Sequence, residues 1–87
     1  MEKIFKTSVY TVEKTIFDGE VVSLSAPGEA GFFGILADHA PFISSLVPGK
    51  ISLRDKSGKS IVIQSTGKGF FEAGHNKAVV LLDAVAP

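Results

Sequence analysis

The chain has 87 residues, of which 45% are hydrophobic and 21% charged, a globular balance rather than a disordered one; the length predicts one domain over 1–87 with a single modest core. Nine Lys and Arg face nine Asp and Glu, for a formal net charge of zero, without the basic excess of a nucleic-acid binder. The absence of cysteine excludes disulfide scaffolds, zinc–thiolate centres and thiol nucleophiles.

No apolar run approaches the roughly 18 residues of a membrane-spanning helix. The longest, Ala78 to Leu82, is strand-sized. The opening Met1-Glu2-Lys3-Ile4-Phe5-Lys6 lacks the apolar stretch of a secretory leader. The expected location is the cytosol, or the periphery of a larger assembly.

Along the chain, nine glycines and four prolines punctuate stretches rich in β-branched and aromatic residues, the pattern of many short strands. Phe5, Thr7, Val9 and Thr11 alternate with Ile4, Lys6, Ser8 and Tyr10, which predicts a strand with two unlike faces. Thr15 to Asp18 is a short extended piece before Gly19. Glu20 to Ala26 alternates again, with Val22, Leu24 and Ala26 on one face, and Pro27-Gly28 is read as the turn that stops it. Gly28 to Gly34 is glycine-rich, Phe33 to Leu36 a short apolar run, and Ala37 to Pro41 a connector.

Phe42 to Val47 is the next predicted strand, followed by a turn at Pro48-Gly49. Lys50 to Arg54, with Ile51 and Leu53 inward, and Ser60 to Ser65, with Ile61 and Ile63 on one face, form the clearest hairpin, around Asp55-Lys56-Ser57-Gly58-Lys59. Thr66 to Gly69 is a turn and Phe70 to Ala73 a strand. Gly74 to Lys77 leads into a last strand over Ala78 to Val85. Eight to ten short strands at this spacing predict an all-β sandwich or barrel; no segment carries a helical period.

The residues that could carry chemistry do not assemble into a reactive pattern. His39 and His75 have no cysteine beside them, and a zinc site would need carboxylates to converge on them; none is expected. Gly67-Lys68-Gly69 lacks the phosphate-loop spacing and the hydroxyl that would hold magnesium. Gly28, Gly31 and Gly34 miss the dinucleotide spacing. No Gly-x-Ser-x-Gly elbow is present. Glu13, Asp18, Glu20 and Glu29 stand in polar or turn contexts, not as a dyad with separated acidities. The expectation is therefore a non-catalytic protein with no cofactor, no metal and no nucleic-acid partner.

Phe32 and Phe33 stand between Gly31 and Gly34. Strand alternation predicts that one points in and the other out. An exposed aromatic there suits a protein contact; the other reading is that both close the open end of the sandwich.

Three stretches resemble a known family: Pro27-Gly28-Glu29-Ala30-Gly31-Phe32-Phe33-Gly34-Ile35-Leu36, then His39-Ala40-Pro41-Phe42-Ile43-Ser44, then Leu46-Val47-Pro48-Gly49. They are similar to the epsilon subunit of the F-type ATP synthase. Ile16-Phe17-Asp18-Gly19-Glu20-Val21, Ser65-Thr66-Gly67-Lys68-Gly69-Phe70-Phe71-Glu72 and Asn76-Lys77-Ala78-Val79-Val80-Leu81-Leu82-Asp83 extend the likeness over nearly the whole chain.

The resemblance implies a flattened β-sandwich of about ten short strands in two five-stranded sheets. It implies a non-catalytic central-stalk subunit of a proton-translocating synthase, joining the polar loops of the c-ring to the gamma subunit. The location it implies is peripheral, on the cytoplasmic face of the bacterial inner membrane. Glu29, Ala30, Gly31, Phe32 and Phe33 fall where the family meets the c-ring; Thr11, His39 and Ser44 match positions near gamma. Phe32 replaces a residue that is often acidic or polar, and Ala37-Asp38 replaces a common Pro-Gly. Most bacterial members continue into a carboxy-terminal helical hairpin that can extend along gamma and inhibit hydrolysis, and in some members it binds ATP. Without it, the expectation is a chain with no inhibitory switch, nucleotide site or small-molecule ligand. A stand-alone ligand- or peptide-binding sandwich, with Gly28 to Pro41 as its mouth, is the alternative.

Overall fold

Phe5, Thr7 and Val9 are buried while Lys6 between them is exposed, as a strand with one face on a core requires. The same logic repeats along the chain. The computed structural model describes residues 3–87; Met1 and Glu2 of the opening stretch lie outside it. Among the described residues there are nine strands and no helix. They are β1 (Phe5–Thr11), β2 (Thr15–Val21), β3 (Ser23–Gly28), β4 (Gly31–Leu36), β5 (Phe42–Leu46), β6 (Gly49–Arg54), β7 (Ser60–Ser65), β8 (Gly69–Gly74) and β9 (Lys77–Leu82).

The strands run in the order β2-β1-β9-β8-β5-β3-β6-β7, with β4 on β3. Every pairing is antiparallel except β1 with β9. The all-β prediction holds, with one difference of detail. The strands form a single curled sheet, not two separate ones. The joint is β3: Ser23, Leu24 and Ser25 pair with β6, whereas Gly28 pairs with Leu46 of β5. The sheet folds over at this change of partner into two layers, and the molecule is flattened, 35 × 25 × 20 Å.

Pro27-Gly28 does not stop β3. The turn is Glu29-Ala30, and the supposed glycine-rich loop is a β-hairpin with Ala26 opposite Phe33 and Gly28 opposite Gly31. Pro27 sits between the last β6 pair and the β5 pair, where a strand can spare its N–H. Glu20 to Ala26 is likewise two strands. Val21 and Val22 are both buried, which breaks the alternation, and the Val22 N–H donates to Arg54 O at 2.8 Å. In β2 the register shifts beside Val9 and Tyr10. This bulge lets Ile16 and Phe17 both pack on the core. The last strand ends at Leu82; Val85 makes only an isolated bridge to Ser65.

The core lies between the layers. Phe5, Val9, Phe71 and Val80 come from one, and Leu24, Ile35, Ile51, Leu53 and Ile63 from the other.

Candidate interaction site

The Glu29-Ala30 turn is built by its neighbours. Gly31 has φ +130, a backbone region that glycine enters freely. The Glu29 N–H donates to Ser45 O at 2.9 Å and the Val47 N–H to Pro27 O at 3.0 Å. These bonds tie the hairpin to β5. Glu29, Ala30, Gly31 and Phe32 are exposed and Phe33 is half-buried. Phe32 keeps 70% of its surface in solvent. Phe33 turns inward, its ring 5.0 Å from that of Phe42 and 4.9 Å from that of Phe71. The predicted in–out split is thus observed: Phe33 anchors the hairpin and Phe32 is presented by it.

The other three expected contact residues are not gathered at one place. Thr11 ends β1 opposite Leu82 of β9, and its Oγ1 accepts from the Lys14 N–H at 3.3 Å. His39 lies at the far end of that layer. Its neighbour Asp38 bonds through the backbone N–H to Asn76 Oδ1 at 2.8 Å, and Asn76 precedes the start of β9. The length of β9 therefore separates Thr11 from His39, about 17 Å at the usual strand rise. Ser44 is half-buried in mid-β5, opposite Phe71, and donates to Ser45 O at 2.9 Å. A partner reaching all three would span the length of β9, within the reach of a standard interface of about 800 Å² per side.

His39 is in a loop rather than a strand. Its Nδ1 stands 2.6 Å from Ala40 O, which needs the proton on Nδ1. The ring meets Phe42 edge-on at 5.9 Å. Asp38 has φ +61, a left-handed conformation that aspartate tolerates better than most side chains.

His75 is exposed in the β8–β9 turn. Among the described residues no three of His, Asp and Glu converge as metal ligands. Asp55 caps its own loop: Oδ1 accepts from Ser57 Oγ at 2.6 Å and from the N–H groups of Ser57 and Lys59 at 2.9 and 3.0 Å. The Ser57 hydroxyl first, helped by the Lys59 and Ser57 N–H groups, holds its carboxyl below the ordinary value against opposing desolvation. An open groove of about 410 Å³ runs over Ser23, Ser25, Ser52 and Ser60. Gly28 to Pro41, the alternative ligand mouth, is largely a closed hairpin and a loop pinned to Asn76.

Residues 4–87 match the family described as "ATP synthase, Delta/Epsilon chain, beta-sandwich domain". The chain belongs to this family. It is 44% identical over 87 residues to the ATP synthase epsilon chain of Chlorobium limicola, covering 98% of this chain and 96% of that one. It is 37% identical over 82 residues to the ATP synthase epsilon chain of Protochlamydia amoebophila, covering 94% of this chain but 55% of that one. The family thus contains proteins of about this length and others nearly twice as long. The fold is shared with a chain in the Euglena gracilis mitochondrial ATP synthase structure of OSCP, F1 and c-ring. That match has a TM-score of 0.85 and 18% identity, covering 93% of this chain and 51% of that one.

Sequence reasoning did not single out Asn76 or Asp38 as site residues. The Gly74-His75-Asn76-Lys77 composition marks a turn with left-handed residues. The reach of the Asn76 side chain to Asp38, 38 positions away, has no local signature.

Proposed function

We propose that this chain is a non-catalytic rotor subunit of a proton-translocating F-type ATP synthase, coupling the c-ring to the gamma subunit. Family membership supports the reading, as do relatives named ATP synthase epsilon chain. So does a fold shared with a chain in the Tetrahymena thermophila mitochondrial ATP synthase structure of central stalk and c-ring, at TM-score 0.77 and 15% identity, covering 98% of this chain and 67% of that one. The observation that carries it is the paired use of Phe32 and Phe33. A torque-bearing joint needs an exposed anchor on a support that does not yield. Phe32 is exposed, while Phe33 and the bonds to β5 fix the hairpin that bears it.

In this reading Glu29, Ala30, Gly31 and Phe32 meet the polar loops of the c-ring, with Phe33 behind them. Thr11, His39 and Ser44 face gamma. The chain works at the cytoplasmic face of a bacterial inner membrane, as part of the synthase. It contributes no catalytic residue, cofactor or metal to the reaction; its work is mechanical.

Titration calorimetry of the chain against the gamma subunit of the same synthase tests this. Binding at one-to-one stoichiometry is expected. No heat of binding to a well-folded gamma overturns the assignment of the partner.

A further inference from the structure

One side chain joins three segments that lie far apart in sequence. Asn76 occupies the two-residue turn between β8 and β9, where His75 and Asn76 both have positive φ, 52 and 58. Gly74 and Lys77 pair across it, the geometry of a tight hairpin that favours Asn or Gly. Glycine would satisfy the turn; the amide does something else. Its Oδ1 accepts from the Asp38 N–H at 2.8 Å, and its Nδ2 donates to Ile4 O at 3.0 Å. Its main-chain carbonyl accepts from the Lys6 N–H at 3.3 Å.

Residues 37–41 form no strand. The Lys3–Asp38 ion pair at 3.4 Å is exposed on both sides and so holds the loop weakly. The Asn76 bond fixes the Asp38 peptide in its left-handed conformation, and the next residue is His39. The direction in which His39 leaves the sheet therefore depends on Asn76.

We propose that Asn76 is a positioning residue, whose amide sets the presentation of His39 to the partner that docks at this end of the sheet. The inference rests on the reading of gamma as that partner.

The test compares Asn76→Gly, which keeps the turn and loses the amide, with the parent chain and with His39→Ala. Hydrogen exchange at the Asp38 amide and calorimetric affinity for gamma are measured where circular dichroism shows every variant folded. Loss of the two side-chain bonds should speed Asp38 exchange about tenfold and weaken gamma binding about five- to tenfold. Adding His39→Ala to Asn76→Gly should then cost little more, because both act through one contact. Asn76→Asp keeps the acceptor for the Asp38 N–H but sets a repelling oxygen against Ile4 O, so Asp38 exchange should rise less than in Asn76→Gly; this readout carries the test if Asn76→Gly does not fold.

Parental affinity with a deprotected Asp38 amide overturns the inference, as does full additivity of the two losses. A parent chain that does not bind gamma at all overturns the coupling reading and this inference together. A parent that binds as tightly as its variant overturns the inference alone.

Discussion

The ring of Phe33 lies against Gly28 so closely that a Cβ on Gly28 would stand 3.0 Å from Phe33 Cδ2 and 2.8 Å from Gly31 O. The anchor of the presented hairpin and the missing side chain beneath it are one device. Gly28→Ala should therefore destabilise the chain by about 1–3 kcal/mol, as overpacking does. Urea unfolding measures it. An unchanged midpoint would mean that the hairpin shifts without cost, and that it is not the stiff support described above.

Phe32→Asp should behave in the opposite way. With Phe32 mostly in solvent, stability should move by no more than about 0.5 kcal/mol, while co-purification with the c-ring drops. Large thermal destabilisation of the variant would place Phe32 in the core and remove it from the contact set.

Thr7 is buried on β1, and its Oγ1 has no hydrogen-bond partner among the described residues. A buried unpaired hydroxyl costs about 1–3 kcal/mol by mutational measures. Thr7→Val replaces it with a methyl group of similar size. The expected result is a gain of about 1 kcal/mol within that range, seen as a higher thermal midpoint. A loss would reveal a polar partner for the hydroxyl.

Asp55 predicts an acid dependence. Its folded acidity is shifted below the ordinary value, first by the Ser57 hydroxyl. A carboxyl depressed on folding stabilises the native state in full above its unfolded value, about 3.9, and that stabilisation fades as pH falls through the folded value. The Asp55 carboxyl resonance in carbon NMR should titrate below that of an unfolded peptide, and Ser57→Ala should move its midpoint upward. An unchanged midpoint in Ser57→Ala would assign the shift to the backbone donors instead.

The parts of the fold visible in sequence are those where apolar alternation survives intact. Ile51 and Leu53 opposite Ile63 and Ile61 form the hairpin expected of them. What stayed hidden was decided by distant neighbours. Pro27-Gly28 has turn composition, yet it remains extended because β5 meets it there. Val21-Val22 looked like part of one strand because the bond from Val22 to Arg54 lies outside any local window. For the site, the opposite fates of Phe32 and Phe33 followed from strand alternation. The distance between Thr11 and His39 follows only from the parallel placement of β9.

That parallel neighbour has a consequence for how the chain reaches its shape. β1 has β2 on one side and β9 on the other, so the first strand made waits for the last strand of the sheet. The β1–β2 hairpin can close early, but Val9 meets Val80 only after Val80, some seventy residues further along the chain, has left the ribosome. Pairing across such a separation requires loop closure before any contact rewards it, and all-β domains of this kind fold in milliseconds to seconds. The newborn subunit is thus exposed longest along the strands its core most needs.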